Sequence, residues 1–206
     1  MTATWSGRAG FVIDLERCVG CAACVLACRL ENGWRGNCAW RRVLALNVRR
    51  RPSGPTYFLS VACHHCERPA CLAACPSGAY VKRSDGIVEH REELCLGCRY
   101  CEMACPFDVP RFDEATGVVG KCHQCHHRID AGELPACVAA CPTEALHLRA
   151  EDDSGDGRTE VPGFADPAGC QPAVRFRPPR GQRRAELLKA LDQAIRGDRR
   201  TSRGGR

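Results

Sequence analysis

Sixteen of the 18 cysteines in this 206-residue chain fall into four groups of four with related spacing. The third group follows the pattern C-x2-C-x2-C-x3-C-P, whose thiolates hold a [4Fe–4S] cluster while the fourth cysteine reaches a neighbouring cluster. In chain order the groups are Cys18, Cys21, Cys24 and Cys28; Cys63, Cys66, Cys71 and Cys75; Cys95, Cys98, Cys101 and Cys105; and Cys122, Cys125, Cys137 and Cys141. The spacing predicts four cubane clusters and one-electron chemistry.

Two other uses of the cysteines compete with this interpretation. A disulfide scaffold belongs to an oxidising compartment, but the first residues have no apolar segment, so we expect no signal peptide. The fourth group, with eleven residues between Cys125 and Cys137, could bind zinc by itself. Its ending, residues 136–146, closely repeats residues 70–79, and this repeat favours a cluster over zinc.

The elements that must position the first group can be read from its surroundings. Phe11 to Asp14 is a short apolar run that predicts a strand leading into the cysteines. Cys24 and Cys28 stand one helical turn apart, so a short helix ending at Gly33 would present both on one face and serve two clusters.

The remaining groups are joined by predicted β segments. Residues 34–62 predict two strands separated by a Pro/Gly turn, and residues 78–89 predict a hairpin around Asp85-Gly86. The hairpin connects the second group to the third, which is the layout of a two-cluster ferredoxin. Cys38 and Cys170 lie outside the groups and receive no role.

We expect the fourth cysteine of each group to bind the cluster of a paired group, with the second group paired to the third and the first paired to the fourth. The predicted sets are Cys18, Cys21, Cys24 and Cys141; Cys63, Cys66, Cys71 and Cys105; Cys95, Cys98, Cys101 and Cys75; and Cys122, Cys125, Cys137 and Cys28. Every iron then has a thiolate ligand, and no position is left for a substrate. The arrangement predicts an electron path and no catalysis by the chain itself.

Charged and imidazole side chains surround these groups. Arg99 and Lys121 would raise cluster potentials by stabilising the more negative reduced state, or would be ordinary surface charges. Five histidines lie beside the cysteines: His64, His65, His123, His126 and His127. We expect none of them to bind iron, because each group already has four thiolates.

The C-terminal quarter differs in composition from the rest. Residues 151–157 predict an acidic linker, and residues 185–196 carry apolar side chains at helical spacing. Residues 171–206 hold eleven Arg and Lys against three acidic residues, so an anionic partner, including nucleic acid, is an alternative use of this tail. No run approaches the about 18 apolar residues of a membrane helix.

The sequence resembles the four-cluster iron–sulfur subunits of molybdopterin oxidoreductases, most closely those of the dimethyl sulfoxide reductase type. The resemblance covers roughly residues 10–148. The matching segments are Cys18 to Cys28, Trp40-Arg-Arg-Val43, Cys63-His-His-Cys66 with Pro69-Ala-Cys71, Asp85-Gly86, Cys95 to Pro106, and Lys121-Cys122 through Arg128 and Pro135 to Pro142. In that family, the absence of a proline after the first group is usual.

The resemblance implies four [4Fe–4S] clusters, a molybdopterin catalytic subunit as one partner and a quinol-oxidising membrane-anchor subunit as the other. It also implies a peripheral place on the cytoplasmic membrane, with neither a direct small-molecule substrate nor a nucleic-acid partner. The equivalent subunit of a formate dehydrogenase or of a polysulfide, tetrathionate or nitrite reductase is the alternative. A nucleic-acid-binding cluster protein is a more distant one.

The predicted fold class is α+β, with two nested bacterial-ferredoxin-like modules and a partly helical C-terminal tail. Residues 1–52 with 118–150 form the outer module, residues 53–117 form the inner module, and residues 151–206 form the tail. Short hairpins and short helices are expected around the four clusters, because the chain has too few large apolar residues for a generous core.

Overall fold

The computed structural model describes residues 9–33, 39–46, 57–149 and 169–177. Its strands are β1 (Phe11–Asp14), β2 (Arg42–Leu46), β3 (Tyr57–Val61), β4 (Tyr80–Lys82), β5 (Val88–His90), β6 (Arg111–Asp113), β7 (Val118–Gly120), β8 (Leu146–Leu148) and β9 (Arg175–Arg177). Its α-helices are α1 (Ala23–Glu31), α2 (Ala70–Ala73), α3 (Tyr100–Ala104), α4 (His126–Asp130) and α5 (Ala136–Ala139), with a 3₁₀ turn at Glu92–Leu94. The predicted acidic linker, the C-terminal helix, Cys38 and the Pro/Gly turn predicted between β2 and β3 lie outside the described residues.

A three-stranded sheet ties the first cysteine group to the last. Its strand order is β8-β1-β9, with β1 antiparallel to β8 and parallel to β9. Ile13 of β1 stands opposite both Leu146 and Phe176. The three side chains are buried, so β1 is a central strand, which explains its nearly continuous apolar sequence. The strand predicted from Phe11 to Asp14 is present with those bounds.

Three two-stranded hairpins connect successive cysteine groups: β2 with β3, β4 with β5, and β6 with β7. The β4–β5 turn is closed by the Arg83 amide, which donates to the Ile87 carbonyl at 2.8 Å, with Gly86 at φ 87°. This is the predicted Asp85-Gly86 hairpin. The β6–β7 hairpin was not predicted; the Gly117 amide closes it by donating to the Asp113 carbonyl at 2.8 Å.

Four of the helices each carry the third cysteine of one group, and that cysteine is buried. The pairs are α1 with Cys24, α2 with Cys71, α3 with Cys101 and α5 with Cys137. Helices α2 and α5 both follow a proline, Pro69 or Pro135, which extends the sequence repeat to the local structure. Helix α1 packs against α5, and α2 packs against α3.

The core is built partly from the thiols themselves. Phe11, Leu59 and Phe176 form one buried cluster together with cysteines of the first, second and fourth groups. A smaller cluster around Tyr80 and Val88 contains cysteines of the second and third groups. Within the described ranges, no helix is long and apolar enough to cross a membrane.

Candidate metal centres

The first thiol pocket is lined by cysteines of the first group and of the fourth group. Cys18, Cys21, Cys24 and Cys141 line it together with Gly20, Ala22 and Ala145. The Cys141 sulfur accepts the Ala145 amide at 3.2 Å, and the Cys24 sulfur lies 3.4 Å from the Ser60 hydroxyl. Three thiols of the first group are therefore joined by the last thiol of the fourth group.

The second site gathers around Cys28, on the buried side of α1. Burial raises the pKa of the Cys28 thiol, and the charges of Cys122, Cys137 and Cys125 raise it further. The Cys122 sulfur accepts the Gln124 amide at 3.3 Å. The last thiol of the first group thus lies beside three thiols of the fourth.

The third pocket lies between the inner groups. Cys63, Cys66, Cys71 and Cys105 line it, and so does Cys170. Burial and the neighbouring Cys63 raise the pKa of Cys71 to about 12, although the Lys121 charge opposes this shift. The last thiol of the third group therefore shares this pocket with three thiols of the second.

The fourth site resembles the first in exposure, with one exposed thiol, two half-buried thiols and one buried thiol. Cys75, Cys95 and Cys101 pack around the buried Cys71 and Tyr80, and Cys98 is exposed. Burial acts to raise the pKa of Cys75, but hydrogen bonds from Ser77 and nearby backbone amides lower it overall. The pKa of Cys141 is lowered in the same way, by the Ala145 and Leu146 amides and Thr143, against the opposing effect of burial. Both cysteines are thus in surroundings that favour thiolate.

The residues present fit a [4Fe–4S] cluster at each site. Four thiols and inward-facing backbone amides are the donors that such a cluster uses. A Cβ at Gly20 would lie 2.3 Å from the Phe58 ring, and one at Gly97 would lie 2.4 Å from the Gly117 carbonyl oxygen, so both loops require glycine. Within the described part of the chain, no disulfide links any cysteine, and no set of three or more His, Cys, Asp or Glu side chains is gathered to hold a single metal ion.

The histidines beside the cysteines make protein contacts. The His65 Nδ1 accepts the Val88 amide at 3.0 Å, and His64 packs edge-on against Phe107 with ring centroids 4.5 Å apart. Burial lowers the pKa of His64 to about 3 and that of His123 to about 4, so both are neutral near pH 7. His127 lies 2.8 Å from a Glu31 carboxylate oxygen.

The two cations predicted to tune potentials lie in different environments. Lys121 is buried, and its ammonium donates to the Val88 carbonyl and, at 3.0 Å, to the Cys122 carbonyl. The Arg99 side chain is 59% exposed and pairs with Glu102 at 2.5 Å. Solvent and the Glu102 charge therefore screen Arg99 much more than Lys121.

Sequence reasoning gave no role to two residues at these sites. Arg41, which directly follows Trp40, is 1% exposed and lies beside thiols of both outer groups. Cys170 is buried in the third pocket because residues 169–177 cross the loop that carries Cys66: the Arg68 amide donates to the Cys170 carbonyl at 3.0 Å. Both placements depend on long-range packing.

The fold and the thiol pockets define an iron–sulfur protein of the ferredoxin type. The 4Fe-4S dicluster domain family matches residues 55–151, and the 4Fe-4S binding domain family matches residues 11–30. The chain is similar to the B component of the anaerobic dimethyl sulfoxide reductase of Escherichia coli (strain K12), with 41% identity over 152 residues that cover 70% of this chain and 74% of that relative.

Two further relatives come from other reductases. The thiosulfate reductase electron transfer subunit of Salmonella typhi is 39% identical, covering 68% of this chain and 75% of the relative. The B component of the tetrathionate reductase of Salmonella typhimurium (strain LT2) is also 39% identical, covering 65% and 54%. This protein belongs to the family of iron–sulfur electron-transfer subunits that includes the B components of the dimethyl sulfoxide reductases, which confirms the prediction from sequence.

Proposed function

We propose that this chain relays electrons between a quinol-oxidising membrane-anchor subunit and a molybdopterin catalytic subunit that reduces an S-oxide or N-oxide. The observation that carries the proposal is the distribution of thiols. They run through the core in four groups, and among the described cysteines only Cys21 and Cys98 are exposed. Electrons would enter at one exposed end and leave at the other, and the chain itself would catalyse no substrate reaction.

Four [4Fe–4S] clusters form the relay, and each supplies one-electron reduction and oxidation. Their ligands are Cys18, Cys21, Cys24 and Cys141 for cluster 1; Cys63, Cys66, Cys71 and Cys105 for cluster 2; Cys95, Cys98, Cys101 and Cys75 for cluster 3; and Cys122, Cys125, Cys137 and Cys28 for cluster 4. The shared pocket linings and the mutual charge effects of these thiols support the assignment.

The relay runs in the order cluster 1, 4, 2, 3. Helix α1 carries Cys24 and Cys28 and so connects the first two sites. Cys122 and Cys63 belong to one buried core, where the charge of Cys63 acts on Cys122. Helix α2 carries Cys71, a ligand of cluster 2, and the residues that follow it carry Cys75, a ligand of cluster 3. Each step of the relay is thus bridged by protein that positions ligands on both sides.

Two ferredoxin-like modules are nested in this proposal. The pairing of β1 with β8 and the packing of α1 on α5 support an outer module of residues 1–52 with 118–150. The packing of α2 on α3 beside the β4–β5 hairpin supports an inner module of residues 53–117. The tail of residues 151–206 is the third unit, and β9 joins its described part to the outer sheet.

Apolar side chains surround the two exposed ends, as expected where partner subunits bind. Val19, Leu26 and Leu30 are 53–73% exposed near the first cysteine group. Leu96, Tyr100 and Met103 are 54–75% exposed around the third. One end would contact the catalytic subunit and the other the membrane anchor, which would hold the chain at the periphery of the cytoplasmic membrane.

The catalytic partner determines the terminal substrate. The thiosulfate and tetrathionate reductase relatives favour an oxidised sulfur compound as the second candidate; a formate dehydrogenase, a polysulfide reductase or a nitrite reductase is a further one. This chain would exchange only electrons with its partners and would bind none of these substrates.

Anaerobic purification of the tagged chain from membranes of its native host tests the proposal. We expect a molybdenum-containing subunit and an integral membrane subunit to co-purify, and quinol-dependent reduction of one of these acceptors. Substrate assays of the complex with dimethyl sulfoxide, trimethylamine N-oxide, thiosulfate and tetrathionate then separate the candidates. A chain that purifies with neither partner, or that binds DNA at moderate salt, would contradict the proposal.

A further inference from the structure

Arg41 is a buried cation held in a fixed orientation. Its side chain is 1% exposed, and its guanidinium lies over the Phe11 ring, 4.4 Å from the centroid. The Nη1 donates a hydrogen bond of 2.9 Å to the Ser60 hydroxyl. That same hydroxyl lies 3.4 Å from the Cys24 sulfur. The guanidinium is therefore connected through one hydroxyl to a predicted ligand of cluster 1.

The described residues provide no carboxylate that balances this charge. Among the ion pairs of the described residues, none includes Arg41, and its Nε and Nη2 have no hydrogen-bond partner there. A buried cation without a counter-charge is costly, and unsatisfied buried donors add to that cost. An anion that accepts two N–H bonds would satisfy both donors and balance the charge.

Thiols of both outer sites lie near Arg41: Cys28 lines the same cavity as Arg41, and Cys24 is connected to the guanidinium through the Ser60 hydroxyl. Burial disfavours its charge, but the neighbouring thiolates of Cys137, Cys122, Cys24 and Cys28 raise the pKa of Arg41 above its ordinary value. Cys24 belongs to the first outer site, and the other three belong to the second. The adjacent Arg42 faces the opposite way and pairs with Asp108 at 3.5 Å at the surface.

We propose that Arg41 is a shared counter-cation of the two outer clusters, 1 and 4, and that its Nε and Nη2 donate N–H···S hydrogen bonds that raise the reduction potentials of both. This inference rests on the ligand sets in the proposed function. Reduction of a four-thiolate [4Fe–4S] cluster adds one electron and one unit of negative charge. A fixed cation stabilises that reduced state, most strongly where water is excluded.

The sharing has a consequence for the relay. A single charge between two sites raises both potentials together, so the difference between them, which sets the driving force for electron transfer from one outer cluster to the other, changes little. No proton is exchanged at Arg41, because a guanidinium stays protonated. Ser60 positions the group by accepting from Nη1 while its own hydroxyl proton is free to face the Cys24 sulfur.

The test is an EPR-monitored redox titration of the purified complex carrying Arg41→Met, with Arg42→Met as the matched control. Met fills similar space without charge or donors. We expect two of the four potentials to fall, with the equilibrium constant for reduction reduced about tenfold, or about 59 mV for a one-electron couple. The other two potentials, and all four in the Arg42→Met complex, stay unchanged. Four unchanged potentials in an iron-replete Arg41→Met complex would overturn the inference.

Arg41→Lys keeps the proposal testable if the Met variant does not assemble. Because the charge is retained, the reduction equilibrium constants of the same two clusters should fall by no more than about threefold. This corresponds to about half of the potential shift expected for Arg41→Met. A tenfold fall in the Lys variant, or equal shifts in all four potentials, would show that the charge is not responsible. A low iron content in the wild-type complex would instead count against the proposed function.

Discussion

The sulfur of Cys75 lies 3.4 Å from the hydroxyl oxygen of Ser77, outside the pocket that its sequence neighbours Cys63, Cys66 and Cys71 line. Cys141 has the equivalent position, with the Thr143 hydroxyl 3.8 Å from its sulfur. In each case the cysteine is followed by a proline and then by the residue that carries the hydroxyl. The last cysteine of each repeated group is therefore turned away from its own group and toward another.

Cys75→Ser should damage the cluster assigned to Cys95, Cys98 and Cys101 and leave the one assigned to Cys63, Cys66 and Cys71 intact. The reason is that the missing thiolate belongs to the other inner group. Low-temperature EPR of the reduced variant, compared with Cys63→Ser, would identify which signal is lost. Ser77→Ala is the control and should keep both signals. Loss confined to the signal that Cys63→Ser abolishes would rule out the exchange.

Lys121→Met should lower the potential of cluster 2, whereas Arg99→Met should change the potential of cluster 3 little. Lys121 is buried at the third thiol pocket, whereas Arg99 is exposed and paired with Glu102. We expect a fall of about tenfold in the reduction equilibrium constant, about 59 mV, for Lys121→Met and about twofold or less for Arg99→Met. Redox titration measures both, and a larger effect of Arg99→Met would refute this ranking.

Gly97→Ala should impair assembly of cluster 3 more than Gly78→Ala does. Both glycines have φ +66°, so both substitutions bear a similar backbone cost, about 1–2 kcal/mol. Only at Gly97 does the added Cβ meet the Gly117 carbonyl oxygen, at 2.4 Å; at Gly78 nothing lies within 4 Å. Overpacking adds about 1–3 kcal/mol.

Iron content and the cluster 3 EPR intensity of the two variants measure this difference. Equal losses in both variants would show that the backbone conformation alone determines the effect.

Arg83→Met should lower the melting temperature, because Arg83 joins the β4–β5 hairpin to α4 through Asp130 at 2.5 Å and also pairs with Asp85 and Glu89. We expect a loss of about 1 kcal/mol, or about 2–4 °C. Arg17→Met, which removes an exposed pair with Glu144, is the control and should have little effect. Calorimetry at neutral pH measures both, and equal melting temperatures for wild type and Arg83→Met would contradict the expectation.

The contact between Arg83 and Asp130 also determines how stability should change with pH. The Arg83 hydrogen bond lowers the pKa of Asp130. The Arg83–Asp130 pair therefore makes its full contribution to the free energy of unfolding above the ordinary Asp pKa. The contribution is lost as the pH falls through the lowered value. Asp130→Asn should therefore remove part of the acid sensitivity of unfolding.

Local sequence patterns were sufficient for the elements next to the cysteines. The apolar run of β1, the helix through Cys24 and Cys28, and the Asp85-Gly86 turn all depend on neighbouring residues, and all three are present. The β6–β7 hairpin was missed because its strands have only three residues each and its turn, unlike that of the equally short β4–β5 hairpin, has no Asp-Gly pair.

Arg41 and Cys170 were missed at the site for a different reason. Arg41 is buried between Phe11 of β1 and Ser60 of β3, beside thiols of the first and fourth groups. Cys170 is placed by backbone hydrogen bonds to the loop at Arg68. Neither contact leaves a pattern in the nearby sequence. Arg41 and Arg42 are adjacent arginines with opposite environments, and only the packed structure distinguishes them.

The most direct test of the four-cluster relay is the iron and acid-labile sulfide content of the anaerobically purified chain. Four cubanes predict about sixteen irons and about sixteen sulfides per chain. A measured content of about four irons or fewer, or stoichiometric zinc in their place, would contradict the account.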